Sequence, residues 1–335
     1  MTHAKHRTGP RRSSIAIGVA IGIAVIVSVA LGAGRPLASE QPRLWTDPGD
    51  IASRDLYWGA ASEARAPKPP FTFAKEDDSG SKPKIHVRDA NGMTWSVKFD
   101  RRSGRGREIP AEIAATRIAW ALGYFVEETY LVRNGVVEDA ARMKRGSRVL
   151  DAQGRFELAR FEPRPDKVER TDERWTIADN PFTGTRELSG LVVLAALVND
   201  WDFRAGNTTV LRVPGDHGVE TRYLVSDWGT AFGRMSPRRS RWDLEDYRER
   251  PDFFAVKGDV VELNLHADDT PERTTVPLAD ARWFAQQAAR LTEPQLQRAF
   301  AAGGATEAEV RGFAAAVRQR IERLGEAVGA SRAGG

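Results

Sequence analysis

The stretch LSGLVVLAALV, residues 188–198, constrains the fold more than any other part of the chain. It is apolar almost all round a helix running from about residue 186 to 198, so other elements must enclose that helix on every side. Directly behind it comes NDWDFRAGNTT, residues 199–209, in which aspartates, an arginine and asparagines crowd together. Such a cluster at the end of a buried helix is either a polar turn that closes the helix or the floor of a site.

The rest of the chain supplies the frame. From residue 71, FTFAK alternates, EDDSGSKP breaks the pattern, and KIHVRD alternates again. Asn91-Gly92 then gives a hairpin turn before MTWSVKF, which predicts three antiparallel strands. In IPAEIAATRIAWALGYFVEE, Pro110 suits a helix opening, with Ile113, Ile118, Ala121 and Leu122 on its apolar face. TYLVRNG reads as a further strand. Residues 141–187 are charged and broken by prolines; within them NPFTGTREL reads as the cap of the buried helix. TTVLRV and TRYLVSDWG read as a strand pair, and DFFAVKGDVVELNLH as a hairpin about Gly258-Asp259. The end is helical, with capping-box spacing at Thr292/Gln295 and Thr306/Glu309.

Ahead of this domain, IAIGVAIGIAVIVSVALGA, residues 15–33, has neither charge nor proline. At ~1.5 Å per residue it is long enough to span a hydrocarbon core of roughly 30 Å, and longer than the usual signal-peptide h-region of about 7–15 residues. An uncleaved anchor is the expectation, with a cleaved signal and a secreted domain as the alternative. Lys5, Arg7, Arg11 and Arg12 precede it without an acid, which places the N-terminus in the cytoplasm and the domain outside, periplasmic or extracellular. Gly18 and Gly22 form a GxxxG that allows a weak dimer. Residues 1–14 are thus a basic tail, 15–33 the anchor or signal and 34–70 a linker in which DIASRDLYWG can dock on the domain. Residues 71–140 form a first lobe, 141–330 a second, and 331–335 a disordered tail.

Composition excludes several chemistries. No cysteine is present, so disulfides, thiolate metal sites and cysteine nucleophiles are ruled out. The net charge of +4 resides in the tail, and a balanced remainder argues against nucleic acid as a partner. The five histidines include no metal-spaced pair.

Candidate site residues follow in chain order. Lys98 sits inside the third strand, where it either snorkels or meets an anion. Glu112 lies in the first turn of the next helix. Asp202 and Asn207 stand five apart behind the buried helix, and Asp227 ends an apolar strand two residues before Gly229. An Asp and an Asn from adjacent loops supply the oxygen ligands that Mg²⁺ prefers, and a second Asp nearby can deprotonate a hydroxyl.

This order, Lys on strand three, Glu on the next helix, D-x4-N, then D-x-G, resembles the protein-kinase-like superfamily over roughly residues 71–330. NDWDFRAGN is similar to the catalytic loops of phosphatidylinositol, persistence-toxin and spore-coat kinases, an atypical branch without H-R-D. The pieces VKF, EIAATRIAWALGY, NPFTGTREL and SDWGTAFG also resemble a group of bacterial exported proteins. The resemblance implies an α+β, two-lobed kinase-like fold, with an antiparallel-sheet N-lobe and a mainly helical C-lobe behind the transmembrane helix. It implies that Lys98 holds the phosphates of ATP and pairs with Glu112, with Glu108 as a weaker candidate outside the helix. Asp202 would be the base, Asn207 and Asp227 the Mg²⁺ ligands, and Arg204 a contact to the transferred phosphoryl group. Ser79, Gly80 and Ser81 would cover the phosphates in place of a G-x-G-x-x-G. No A-P-E follows, and MSPRRSRWDLEDYRER, standing where an activation segment would, reads as a solvated loop.

The expected function is membrane-anchored, Mg-ATP-dependent phosphoryl transfer to a protein or small-molecule hydroxyl. A non-catalytic nucleotide- or partner-binding module is the alternative. A metal-dependent hydrolase using Asp200, Asp202 and Asp227 is a third reading.

Overall fold

The computed structural model describes residues 41–77, 83–100, 107–140, 143–144, 149–216, 218–234, 239–249, 252–265 and 274–329. Strand β1 (Pro42–Arg43) lies parallel to Thr221 and Arg222. The chain after it buries Leu44, Ile51 and Leu56 in the main core. Gln295 Nε2 donates to the main-chain oxygens of Ile51 (2.7 Å) and Arg54 (2.8 Å), and the Arg54 guanidinium lies 3.9 Å over the Trp120 ring. The segment read as a linker is therefore built into the fold from residue 42 onward, and DIASRDLYWG docks as its apolar residues suggested.

Strands β2 (Phe71–Asp77), β3 (Lys84–Arg88) and β4 (Thr94–Phe99) are the three antiparallel strands expected. In the β3–β4 turn, Gly92 takes φ +79° while Asp89 Oδ1 accepts from the N–H groups of Asn91 and Met93. Helix α1 (Glu108–Ala121) follows, and the Asp100 carboxylate accepts from the N–H groups of Glu108 and Ile109 at its start. Those donors have no partner within the helix, so an upstream acid can fix where it begins. The helix starts two residues before Pro110, so Glu108, expected outside it, lies within its first turn.

Strand β5 (Tyr130–Glu138) is the further strand expected, and β6 (Arg155–Pro163) falls in the charged, proline-broken stretch 141–187. β6 pairs with both β4 and β5, and β2 closes against β5, giving a closed barrel in the order β2-β3-β4-β6-β5. The barrel thus runs to residue 163, past the boundary at 140. Ile85, Val87, Trp95, Val97 and Phe161 fill its interior. On the opposite face the register sets Lys84 against Lys98 and Lys98 against Arg160, with Ser96 against Glu162 in the next row. Residues directly opposite across a ladder share a face, so the pairing alone gathers charge on the barrel's outer side.

The rest of the chain combines helices with small sheets. After β7 (Glu169–Arg170) comes the predicted buried helix, α2 (Arg186–Val198), capped by Thr185 Oγ1 accepting from Leu188 N at 3.2 Å. Leu191 through Val198 are all buried, which is the enclosure their composition demanded. β8 (Thr208–Gly215) and β9 (Gly218–Val225) form the expected hairpin, within a sheet ordered β1-β9-β8-β7. Helix α3 (Leu244–Glu249) occupies part of the stretch read as a solvated loop. Trp242 and Tyr247 are buried there, and the Tyr247 hydroxyl donates to Leu197 O at 2.8 Å, so these two side chains join the core while Glu245, Arg248 and Glu249 stay exposed. β10 (Phe254–Lys257), β11 (Val260–Leu263) and β12 (Thr274–Pro277) make a third sheet. α4 (Leu278–Ala289), α5 (Glu293–Ala302) and α6 (Glu307–Ala327) complete the chain, and both expected capping boxes are formed.

Among the described residues, no helix is long and apolar enough to cross a membrane. The tail 1–14, the run 15–33 with Gly18 and Gly22, Ser79, Gly80, Ser81 and residues 331–335 lie outside the described residues.

A chain beginning at residue 71, the sequence-predicted domain start, loses the burial of Leu44, Ile51 and Leu56. At about 1.5–3 kcal/mol for each fully buried side chain, the cost is roughly 5 kcal/mol, comparable to a whole domain's stability. Urea denaturation of chains starting at residues 41 and 71 checks this, and equal midpoints would contradict it.

Candidate active site

Helix α2 closes on Asn199, which takes the left-handed conformation (φ 57°, ψ 42°). Asparagine is one of the few residues that tolerates that region at a helix end. Its Nδ2 donates to Gly233 O (2.8 Å) and its Oδ1 accepts from Arg320 Nη2 (2.7 Å), so Asn199 caps the helix and braces the loop. Asp200 turns inward with no exposed surface and accepts from Thr230 Oγ1. Phe203 also points inward and packs edge-to-face on Trp175, ring centroids 5.7 Å apart. With Phe203 anchored, its neighbours Asp202 and Arg204 reach a cavity of about 500 Å³.

Lys98, Asn207 and Asp227 line the same cavity. Five of the residues marked in the sequence therefore converge, and the sixth, Glu112, stands behind Lys98 with 1% exposure. Lys98 Nζ contacts three carboxylates: Glu112 Oε2 at 3.0 Å, Asp227 Oδ2 at 3.1 Å, and Glu108. Glu108 thus shares the role expected of Glu112, and its second oxygen accepts from Arg241 at 2.7 Å. Gly229 is required here because a Cβ on it would lie 2.3 Å from Glu108 Cγ. Burial alone would push the Lys98 ammonium down; the Asp227 and Glu112 carboxylates outweigh it and hold the ammonium above its ordinary value.

Behind Lys98 an ion-pair chain runs along β6. Arg160 bonds Glu112 with one nitrogen and Glu162 Oε2 with another (2.9 Å). Glu162 also accepts from Arg164 and, at 2.6 Å, from Arg170, which in turn bonds Glu127. Burial would raise the Glu162 carboxyl, but Arg164, Arg160 and Arg170 overcome that and hold it well below the usual carboxylate range. Glu127 is pushed up to about 6 by burial and by its neighbour Glu162. Sequence reasoning missed Arg160, Glu162, Arg164, Arg170 and Glu127. The one local signal was the alternation R-F-E-L at 155–158, which marks the strand but not its partners.

Asp227 and Asn207 suit a hard divalent cation. Asp227 Oδ1 accepts from Gly229 N at 3.0 Å, and Ser226 N donates to Asn207 O at 2.8 Å, which ties the two loops together. Asn207 Nδ2 donates to Asp202 O at 2.6 Å, so the side-chain Oδ1 remains the acceptor of that amide. A carboxylate and an amide oxygen are the donor types Mg²⁺ takes. Glu108, Glu112 and Asp227 also place oxygens within 4.8 Å of one another, but the cation between them is the Lys98 ammonium. The three-aspartate site of a hydrolase does not form, because Asp200 is enclosed beside Thr230 and does not line the cavity. Arg204 Nε lies 2.9 Å from Asp202 Oδ1. Of the arginines read as charged loop, Arg241 pairs with Glu108, and Arg239 lies 4.8 Å over the Trp201 ring.

No protein-family model and no curated protein sequence matches the chain. Among solved structures it is similar to the Helicobacter pylori proinflammatory kinase CtkA, at 14% identity and a TM-score of 0.48, over 79% of this chain and 99% of that one. It is also similar to the golgi casein kinase, at 12% identity and a TM-score of 0.42, over 83% of this chain and 82% of that one.

Burial pushes the Asp200 carboxyl up to about 7, opposed by the Thr230 hydrogen bond and assisted by Asp227 and Asp202. In the unfolded chain the group titrates near 3.8. The folded form binds the extra proton, so stability falls as pH rises from about 4 to 7 and is level above that. Asp200→Asn should therefore be more stable than the wild type at pH 8, by on the order of 4 kcal/mol, with the gap narrowing below pH 7 and closing near pH 4. Thermal melts across pH 4–8 check it, and a gap independent of pH would show that Asp200 does not titrate in this range.

Proposed function

We propose that the chain is a kinase-like phosphotransferase that moves the terminal phosphoryl group of Mg-ATP onto a hydroxyl of a protein or small molecule. One observation supports this reading most. Lys98 on β4, Asp202 and Asn207 behind α2, and Asp227 just after β9 line one cavity, with Glu112 on α1 bonded to Lys98 from behind.

Each group has a chemical role. Lys98, held in direction by Glu108 and Glu112, presents its ammonium to the donor phosphates, and Asp227 and Glu112 keep it charged. Asp202 accepts the proton of the acceptor hydroxyl as its oxygen attacks the terminal phosphorus and the bond to the leaving phosphate breaks. Arg204, seated beside Asp202, balances charge on the phosphoryl oxygens. Asp227 and Asn207 would hold Mg²⁺, which when bound supplies charge neutralisation to the donor's phosphates. With residues 15–33 as an anchor, this chemistry takes place at a membrane surface. A module that binds nucleotide without turnover is the second reading. Its supporting observation is the Arg204–Asp202 pair, which occupies the base until the arginine swings away.

The test separates binding from chemistry. Mg-ATP should raise the melting temperature of the purified protein, and Asp202→Ala should retain that shift. Phosphoryl transfer, followed as ADP release and labelled product, should fall at least about 100-fold in the variant, the usual scale of a general base. Absence of a shift with Mg-ATP would contradict the proposal. A shift without turnover in the wild type would favour the binding module.

A further inference from the structure

The cavity's lining is unusual for a nucleotide site. Among the described residues, every side chain that faces it is charged or polar, and none is aliphatic or aromatic. A nucleobase has poorly hydrated faces, and proteins ordinarily hold one between apolar or aromatic side chains. Here the lining carries Ser96, Glu162 and Thr209, with Ser96 and Glu162 opposite each other on neighbouring strands. Glu162 and Thr209 are moreover joined through Arg170, which bonds Glu162 at 2.6 Å and Thr209 Oγ1 at 3.1 Å. That leaves no apolar slot on the described lining into which a purine could slide.

The same lining is rich in cations, and their placement is set by the fold. Sheet register puts Lys84, Lys98 and Arg160 side by side across three strands on one face. Glu162 gathers Arg160, Arg164 and Arg170 around a single carboxylate, and Arg174 lines the cavity beyond them. The described lining carries seven basic side chains against five acidic ones, several already ion-paired with one another. A divalent cation at Asp227 adds to this positive excess, whose directions the ion pairs fix. Guanidinium forks and ammonium groups of this kind match phosphate oxygens.

We infer that the cavity recognises its phosphoryl donor through a linear chain of phosphates alone, as in inorganic polyphosphate or the triphosphate tail of a nucleotide whose base stays outside. The inference rests on the phosphotransferase reading of the same site and names its donor class. The step balances with tripolyphosphate. An acceptor hydroxyl oxygen bonds to the terminal phosphorus, the bridging P–O bond breaks, diphosphate leaves, and the hydroxyl proton passes to Asp202.

Isothermal titration of the full-length protein with Mg²⁺ and, separately, ATP, tripolyphosphate and adenosine tests it. Tripolyphosphate should bind as tightly as ATP or tighter, within fivefold if ATP is the stronger, and adenosine should give no binding heat at millimolar concentration. ATP binding more than fivefold tighter than tripolyphosphate would overturn the inference and leave the phosphotransferase reading standing. Failure of both phosphate ligands to bind would overturn both. The exposed-side variant Lys84→Gln/Arg174→Gln should weaken ATP and tripolyphosphate by the same factor, about tenfold, and retention of both affinities would remove these cations from the donor track.

Discussion

The Lys98 ammonium is the joint on which the structure turns. It is almost wholly buried, and its three carboxylate partners come from two different elements: Glu108 and Glu112 from α1, and Asp227 from the turn after β9. A buried charge of this kind persists only when its partners are well placed, and removing one leaves the others uncompensated. Lys98 therefore fixes the barrel strand, the helix and the D-x-G turn against one another. The active geometry and the packing of these elements are the same set of contacts.

The polar loop behind α2 is held by a similar economy of roles. Asn199 ends the helix in a left-handed turn, Asp200 and Phe203 fasten the loop from inside, and Asp202, Arg204 and Asn207 are left to face the cavity. Enclosing α2 on all sides makes this possible, because a loop that leaves a fixed helix end starts from a fixed position. The buried Asp200 runs against stability at neutral pH, which is how a strained or functional region differs from an ordinary core.

Much of this was legible in the residues. The strand alternation of FTFAK, KIHVRD and MTWSVKF, the Asn91-Gly92 turn, the all-round apolar α2 and both capping boxes are local patterns, and local patterns survive in a sequence. The convergence of Lys98, Glu112, Asp202, Asn207 and Asp227 came from a resemblance in their order. What stayed hidden was non-local. Strand β6 places Arg160 and Glu162 in a strand of mostly buried residues, where charges read as loop. Glu108 looks external from the sequence because Pro110 suits a helix opening, whereas Asp100 caps the helix two residues earlier. Ile51 and Arg54 look like linker because the side chain that holds their main-chain oxygens, Gln295, lies some 240 positions away in α5.

A crystal structure with Mn²⁺ and a non-hydrolysable triphosphate probes the Lys98–Asp227 joint most directly, through the anomalous signal of the metal. The manganese peak is expected against the side-chain oxygens of Asp227 and Asn207, with the Lys98 ammonium on the phosphates and still held by Glu108 or Glu112. A peak among Glu108, Glu112 and Asp227 with Lys98 displaced, or no metal peak in the cavity, would contradict it.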